Sequence, residues 1–280
     1  MLTLDLAFLH PYKKKVDSAI KKSTLLSEPK TTLTEAIEYS LLGNAKRFRP
    51  LIVLFIAEAL GSFDVMEAGL AVEYFHTASL IADDLPCMDD DDERRGKPSL
   101  HKVYGEDIAL LASYTLIASG YESISLASLK HGQNGPLLCQ KALEFVSKRA
   151  GILGATNGQF LDLYAKPLDR KTLDKIIYQK TVTLFEISFG LGYLFGSGKT
   201  EGLELVTKAA YHLGYAFQLA DDLQDYDQDE MNMAKLLGKK EAYKMYLEHR
   251  EEYSRLLEQA NISHKGLNKL VSLLDTLADA

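Results

Sequence analysis

Two clusters of carboxylates offer the clearest chemistry in this sequence. The first begins with Asp83-Asp84 at the end of an apolar run and continues through residues 89–92. The second, Asp221-Asp222 with Asp225, ends another apolar run. Carboxylates this close repel one another unless cations lie among them, and Mg²⁺ is typically held by a few carboxylates together with substrate phosphates. The first cluster alone could be a solvated acidic loop. The pair of clusters predicts a Mg²⁺ site that also holds a phosphate-bearing substrate.

The elements that must position these clusters are helices. Nearly every segment repeats its apolar residues with the helical period, and almost none alternates with period two. The spacing predicts helices over residues 3–23, 32–42, 50–60, 64 to the first cluster, 106–130, 137–149, 152–165, 169–195 and 201–226, then two amphipathic helices. We therefore expect an all-α bundle of about ten or more helices around a central active-site cavity.

Local signals place several helix starts. Thr32 and Glu35 have the spacing of a capping box, in which two side chains satisfy the first free backbone N–H groups. Asp64 and Glu67 are candidates for capping the helix that leads into the first cluster. Asp169 is the candidate cap of one long helix that contains Lys180-Thr181.

Composition excludes some classes of protein. With 280 residues and 46% hydrophobic content, the chain can bury a large core. A net charge of −7 argues against a nucleic-acid-binding protein. Cys87 and Cys139 are its only cysteines, which predicts no disulfide framework and fits a reducing compartment. Residues 1–6 do not resemble a signal peptide, and no stretch is long and apolar enough to cross a membrane. We expect a cytoplasmic protein without a transmembrane segment.

The motifs resemble those of the trans-isoprenyl diphosphate synthases. Residues 76–89, continued by 94–98, resemble the family's first aspartate-rich motif, with the DDxxxxD spacing of bacterial farnesyl and of plant and bacterial geranylgeranyl diphosphate synthases. Asp221-Asp222-x-x-Asp225 is similar to the second motif. The segments that resemble KRxRP, GQxxDL and KT are Lys46-Arg47-Phe48-Arg49-Pro50, Gly158-Gln159-x-x-Asp162-Leu163 and Lys180-Thr181. All five occur in family order.

This resemblance implies one polyprenyl synthase domain over residues 1–280 with the isoprenoid synthase fold. It also implies a homodimer and Mg²⁺, or alternatively Mn²⁺, as cofactor. The implied reaction is a head-to-tail condensation, in which isopentenyl diphosphate attacks the cation formed from an allylic diphosphate. The residue types suit this chemistry independently, because metal ions and basic side chains stabilise a leaving diphosphate. An apolar bundle interior keeps the cation away from water.

The resemblance also assigns roles to individual residues. Those implied to bind metal are Asp83, Asp84, Asp89, Asp221, Asp222 and Asp225. Those implied to contact the allylic diphosphate are Arg94, Lys180 and Gln218. Those implied to bind isopentenyl diphosphate are Lys46, Arg49, His76 and Arg95. Thr181 would steady the cation, and the implied catalytic set is Asp83, Asp84, Lys180, Thr181 and Asp221. Outside the motifs, His76 would be read as a core histidine, and Gln159 with Asp162 as a structural hydrogen-bonded pair.

Product length follows from the residues just before the first motif. In the family the growing tail passes beside this helix, and farnesyl-producing relatives often carry a bulky aromatic at the position of Ala78. Positions 75 and 78 share a helix face, so Ala78 and Ser79 leave depth that Phe75 would close. A steric floor of this kind discriminates by length. It favours the twenty-carbon product, geranylgeranyl diphosphate.

Some positions depart from the family pattern. Asn44-Ala45 stands where relatives have Gly-Gly, Ala82 replaces a common histidine, and Ser113-Tyr114 replaces Gly-Asp. The basic GKxxGxD segment after the second motif is missing, and the candidate substitutes for its lysine are Lys235, Lys239 and Lys240.

Four alternatives stay open on the sequence. The first two are a farnesyl synthase and a longer-chain synthase of the same family. The third is a terpene cyclase, against which the second DDxxD motif argues. The fourth is a non-catalytic regulatory subunit, against which both aspartate sets argue.

Overall fold

A computed structural model describes residues 6–27, 30–62, 64–167, 169–197, 199–226 and 232–279, and these residues are almost all helical. The helices are α1 (His10–Lys22), α2 (Thr24–Ser27), α3 (Thr32–Leu41), α4 (Phe48–Ala59), α5 (Met66–Asp83), α6 (Leu100–Tyr104), α7 (Glu106–Leu129), α8 (Gly135–Ala150), α9 (Ala155–Tyr164), α10 (Arg170–Ile176), α11 (Thr183–Ser197), α12 (Leu203–Gln224), α13 (Met233–Leu237), α14 (Lys239–Gln259) and α15 (Lys265–Ala278). Short 3₁₀ turns cover Leu6–Phe8 and Gly132–Asn134, and a π-helical turn covers Ile177–Val182. The prediction of an all-α fold is confirmed.

The buried apolar side chains form one contiguous cluster to which nearly every long helix contributes. Helices α4 and α11 are buried on almost every side. A helix that is apolar all round belongs inside a bundle. Helix α4 therefore packs between α5 and α11 at the centre, and the polar helix α14 covers α12 from outside.

Several helix boundaries fall close to the predicted ones, but one long predicted helix is divided. Helices α7 and α12 match the expected stretches within a few residues. The helix expected over residues 169–195 consists of α10, the π-helical turn and α11. The predicted helix over residues 3–23 begins outside the described residues, and its described part is likewise a 3₁₀ turn followed by α1.

The capping predictions divide in the same way. Asp169 does cap α10, since its Oδ1 accepts a hydrogen bond from the backbone N–H of Thr172 at 2.8 Å. The capping box of α3 lies one residue earlier than predicted, since Thr31 and Thr34 form it rather than Thr32 and Glu35. Helix α5 begins after Val65 with no side-chain cap.

Asp64 and Glu67, the residues predicted to cap α5, instead form ion pairs with Lys130. Lys130 follows the end of α7, so these carboxylates connect the start of α5 to the neighbouring helix. The predicted capping role of both residues is wrong.

The π-helical turn is held in place by α9. Asn157 donates its side-chain amide to Gln179 Oε1 at 2.7 Å, and Gln179 donates in turn to the Leu153 carbonyl at 3.2 Å. Gly158 lies against the backbone of Gln179 and Lys180, where a Cβ atom would overlap that backbone. Such π-helical turns are frequent at functional sites, and this one contains Lys180-Thr181.

A β-hairpin follows the first aspartate cluster. Strands β1 (Glu93–Arg94) and β2 (Lys97–Pro98) are antiparallel, and Arg94 pairs with Lys97. Arg95 and Gly96, at the turn, have φ values of 57° and 75°, as a two-residue hairpin turn of type I′ requires. The hairpin directs Arg94 back toward the end of α5.

Within the described part of the chain, no helix combines the length and the apolar character that crossing a bilayer requires.

We expect Gly158→Ala to destabilise the protein, because the new methyl group must push α9 away from the π-helical turn. The free energy of unfolding, measured by urea titration, should fall by about 1–3 kcal/mol, as for other overpacked positions. Gly43→Ala is the matched control, since the nearest atom to its added Cβ lies at 3.7 Å. Equal stability of the two variants would contradict this account of the contact.

Candidate active site

The first aspartate pair lies at the end of α5, where its members have different partners. Asp84 is buried and accepts two hydrogen bonds from the Arg94 guanidinium, one of them from Nε at 2.8 Å. Arg94 also donates to Asp91 Oδ2 at 2.7 Å. Asp84 therefore fixes the hairpin against α5, and Arg94 opposes the rise that burial causes in the pKa of Asp84.

Asp83 lies in a less compensated environment. Burial raises the pKa of Asp83 to about 7, with Lys180 opposing this and Asp89 adding to it. Gln159 donates to Asp89 Oδ1 at 3.0 Å, and Lys180 Nζ lies 3.9 Å from Asp89 Oδ2. Lys180 also donates to Asp162. These contacts bring the first motif, the GQxxDL segment and the lysine of the π-helical turn together.

Gln159 and Asp162 therefore do not form the structural pair that the sequence suggested. Gln159 donates to Asp89, and Asp162 accepts from Lys180. Their shared element α9 presents one side chain to the first motif and one to the π-helical turn.

The second aspartate cluster ends α12 and contacts the same turn. Thr181 Oγ1 donates to Gln218 Oε1 at 2.8 Å, and Gln218 Nε2 donates to Asp222 Oδ1 at 2.9 Å. Asp222 is buried, and its Oδ2 also accepts from the backbone N–H of Met233 at 2.7 Å. Asp221 lies in the last turn of α12 and Asp225 directly follows the helix, and both are partly buried. Lys180 thus contacts one motif while the adjacent Thr181 contacts the other.

A basic cluster lies around His76, which is on α5 about two turns before Asp83. Arg49 Nη1 is 3.3 Å from His76 Nε2, and the Arg49 guanidinium stacks over the Phe185 ring at 5.1 Å. Burial, followed by the charges of Arg49 and Arg95, lowers the pKa of His76 well below its usual range. Burial also lowers the pKa of Arg49 to about 10. His76 is therefore neutral near pH 7 beside two arginines.

Two buried atoms of this cluster have no partner among the described residues: Arg49 Nε and His76 Nδ1. A buried donor without a partner is costly, so an anion bound here would satisfy groups that the fold leaves open. Burial lowers the pKa of Arg95 as well. Lys46, the fourth basic residue assigned to this subsite, is exposed in the turn before α4. The structure thus brings three of the four together.

A cavity of about 510 Å³ extends below the first motif. Asp83 and Lys180 lie on its wall, as do all three predicted chain-length residues, Phe75, Ala78 and Ser79. Most of the remaining lining is apolar and comes from α5, α7 and α9. The charged groups therefore border a pocket suited to a hydrocarbon chain.

Tyr121, which lines this cavity, and Gly120 beside it are not among the residues predicted from the sequence. The rings of Phe75 and Tyr121 meet edge to face with centroids 5.0 Å apart. Gly120, the neighbour of Tyr121 on α7, lies so close to the Phe75 ring that a Cβ atom would stand 2.7 Å from it. A glycine inside a helical pattern is a signal of such close approach.

Arg47, which the KRxRP motif contains, has a structural role. It is buried with φ 58°, donates to Asp17 at 2.8 Å, and forms an ion pair with the buried Glu73. It fixes the basic turn onto α1 and α5 and so positions Arg49.

The lysines considered as substitutes for the missing basic segment have different surroundings. Lys239 Nζ lies over the ring of Tyr226, 4.5 Å from its centroid, and Tyr226 is the residue that follows Asp225. Lys235 and Lys240 are exposed. The stretch over residues 227–231 lies outside the described residues.

Known proteins match this chain over most of its length. The family described as Polyprenyl synthetase matches residues 30–240. Geranylgeranyl pyrophosphate synthase 3 of Arabidopsis thaliana is 39% identical over 231 residues, 80% of this chain and 63% of the relative. The corresponding enzyme of Capsicum annuum is 38% identical over 80% of this chain and 61% of its own. The chain therefore spans less than two thirds of these relatives.

Solved structures resemble the fold along almost the whole chain. An FPP/GFPP synthase from Zymomonas mobilis has a TM-score of 0.84 at 26% identity, covering 97% of this chain and 98% of that one. A geranyltranstransferase from Thermotoga maritima has a TM-score of 0.74 at 31% identity, covering 96% and 97%. Together with the family match over residues 30–240, the motif order and the arrangement of both aspartate helices, these likenesses show that the chain belongs to the polyprenyl synthetase family.

Proposed function

We propose that this protein is a trans-prenyltransferase that condenses isopentenyl diphosphate with an allylic diphosphate and yields geranylgeranyl diphosphate. The observation that carries the proposal is the position of Lys180-Thr181. Lys180 lies beside the first aspartate motif and Thr181 contacts the second through Gln218. Both belong to the same π-helical turn, and Lys180 lines the apolar cavity. The names of the relatives, geranylgeranyl pyrophosphate synthases, support the same reaction.

The donors around this turn fit Mg²⁺, with Mn²⁺ as the alternative. They are carboxylate oxygens, which hard divalent cations prefer. Burial raises the pKa of Asp83, and a bound cation would offset the charge of that buried carboxylate. Asp83 and Asp89 would hold the ion on one side, and Asp221 and Asp225 on the other. When bound, Mg²⁺ neutralises the charge that develops on the leaving diphosphate.

Asp84 and Asp222, the two remaining predicted ligands, already accept hydrogen bonds from Arg94 and Gln218. We propose that each orients its neighbour and would meet the metal through water. Their direct ligand role stays a prediction.

Different side chains of this protein would serve the other steps of the reaction. Arg94 and Lys180 would orient the allylic diphosphate while its carbon–oxygen bond breaks. The isopentenyl double bond forms the new carbon–carbon bond, and the adduct then loses a proton. Thr181 would face the allylic cation with its hydroxyl oxygen. The apolar cavity excludes water, which would otherwise capture that cation.

Isopentenyl diphosphate would bind in the basic cluster of Arg49, His76 and Arg95. Its phosphate oxygens can accept from the unpartnered Arg49 Nε and His76 Nδ1. A neutral His76 can donate from one ring nitrogen without adding charge. Lys46 lies at an exposed position of the fixed turn before α4, and its contact with isopentenyl diphosphate stays a prediction.

The decisive test supplies purified protein with Mg²⁺, labelled isopentenyl diphosphate, and dimethylallyl, geranyl or farnesyl diphosphate in turn. A dominant twenty-carbon product supports the proposal, whereas a hydrocarbon product would indicate a cyclase. Absence of any product from folded protein would favour a regulatory subunit. Some relatives are named as large subunits of heterodimeric synthases. The same assay is therefore repeated with a partner subunit added.

We expect Asp83→Asn to lower kcat at least about a hundredfold, by analogy with other lost transition-state contacts.

The same change tests the raised pKa of Asp83. A carboxyl whose pKa rises from 3.8 to about 7 on folding binds more protons in the folded state between those values. Its contribution to stability therefore falls as the pH rises through this window. Without metal, the variant is expected to be more stable than wild type at pH 8, with little difference at pH 4.

Urea titrations with and without Mg²⁺ measure this difference. Asp107→Asn, at an exposed position on α7, is the control and has no expected effect on activity. A wild-type protein that stays as stable as the Asp83→Asn variant at pH 8 without metal would contradict the assignment of a costly buried charge.

We expect Phe75→Ala to lengthen the product beyond twenty carbons. Removing the ring joins the cavity to the space beside Tyr121 and Gly120, so chain growth would stop later. Chromatography of the dephosphorylated products measures the change. Phe160→Ala, at a cavity-lining position that is 55% exposed, is the control and should keep the wild-type length. An unchanged product from Phe75→Ala would place the floor elsewhere.

We further propose one domain and a homodimer. The contiguous core supports a single domain. An exposed apolar stripe on α7, in which Leu111 is 48% and Tyr114 59% exposed, supports the homodimer. Such stripes commonly mark interfaces. Light scattering should give twice the chain mass of 31.2 kDa, and the double change Leu111→Glu with Tyr114→Glu should give the monomer. Leu247→Glu on α14 is the control, and a monomeric wild type refutes the dimer.

The cytoplasmic location stays a prediction.

A further inference from the structure

The four consecutive aspartates 89–92 do not serve one site. Asp89 accepts from Gln159 and Asp91 accepts from Arg94. Asp90 has a left-handed backbone with φ 54°, which turns the chain between them. Asp90 and Asp92 lie beside His101. The acidic run is therefore divided between the candidate active site and a second location on α6.

His101 is the residue that distinguishes this location from an ordinary acidic surface. It is only 7% exposed, and both of its ring nitrogens are buried without a hydrogen-bond partner among the described residues. Buried polar atoms in folded proteins nearly always have partners. One ring nitrogen lies with one carboxylate oxygen each of Asp90 and Asp92 in a group whose members are all within 4.8 Å of one another.

We propose that Asp90, Asp92 and His101 form a second cation site, separate from the carboxylate site for Mg²⁺, that takes a divalent transition ion such as Zn²⁺ or Co²⁺. Imidazole nitrogen selects these ions, whereas Mg²⁺ prefers oxygen donors. With bonds of about 2.0–2.2 Å, ligand atoms on one ion stand about 3–4.4 Å apart. Small rotations of the two exposed aspartates reach that geometry, and the ion gives one orphaned nitrogen a partner.

Lys102 competes for this site. Its Nζ lies 2.6 Å from Asp92 Oδ1, and both side chains are largely exposed, at 42% and 73%. Ion pairs exposed to this degree contribute little stability. A divalent ion can therefore displace the lysine, and removing Lys102 would leave Asp92 open to the ion.

The bound ion would connect two neighbouring segments. The backbone N–H of Ser99 already donates to the Asp92 carbonyl at 2.9 Å at the start of α6. An ion held by His101, Asp90 and Asp92 would add a further link between α6 and the loop that follows Asp89. This inference does not depend on the proposed prenyl transfer, because it concerns binding of a metal in the absence of any diphosphate.

The test uses the full chain with Zn²⁺ or Co²⁺ as the probe and a large excess of Mg²⁺ to occupy the oxygen-only sites. X-ray absorption at the zinc edge should show one imidazole per bound ion, and Co²⁺ titration should give a visible band at one equivalent. Retention of only oxygen ligands in the wild-type protein would overturn the proposal without any variant.

Variants then assign the ligands. We expect His101→Gln to remove the imidazole signal and to weaken metal binding at least about tenfold. Even substitutions of residues that only support a metal ligand lower metal affinity by about 10–100-fold. Asp90→Asn, at an exposed position, should also weaken binding, and it guards against misfolding of the buried-histidine variant. Lys102→Gln should strengthen binding. His10→Gln, at an exposed histidine on α1, is the matched control. An imidazole signal that survives in His101→Gln would refute the assignment.

Discussion

The structure depends on how charge is kept within an apolar bundle. Carboxylates at the ends of buried helices are costly unless an opposite charge or hydrogen-bond donors accompany them. Arg94 compensates Asp84, and Lys180 compensates Asp162. Arg47 compensates Glu73, so that the basic turn before α4 is fixed before any ligand arrives. Each pair also joins elements that are distant in sequence. These ion pairs thus add specific contacts among α4, α5, α9 and the hairpin to the packing of the apolar core.

The same requirement separates two classes of aspartate. Asp84 and Asp222 are buried and accept several hydrogen bonds from the protein. They behave as parts of the scaffold. Asp83 has no comparable compensation, and burial raises the pKa of its carboxyl to about 7. A buried carboxylate of this kind lowers the stability of the protein, but it also provides a position where an incoming cation is bound strongly. Adjacent residues of one motif can therefore have opposite roles, although their side chains are identical.

Much of this organisation could be predicted from the sequence, and the exceptions have physical reasons. Helical periodicity located α7 and α12 because their apolar residues repeat over many turns. The π-helical turn has no such signature, since one extra residue in a turn leaves the surrounding pattern helical. The capping box of α3 was misplaced by one residue because Thr31, Thr32 and Thr34 are chemically alike. The partners of Gln159 depend on tertiary contacts, which no local pattern encodes.

The cavity floor shows why the residues before the motif cannot determine product length alone. Helix α5 supplies Phe75, but the position of its ring depends on α7. Gly120 allows the ring to lie against the α7 backbone, and Tyr121 meets it edge to face at 5.0 Å. A larger residue at position 120 would push the ring back into the cavity and shorten the space available. The depth of the pocket is therefore a joint property of two helices, so a change on α7 can alter selectivity while the aspartate motif stays the same.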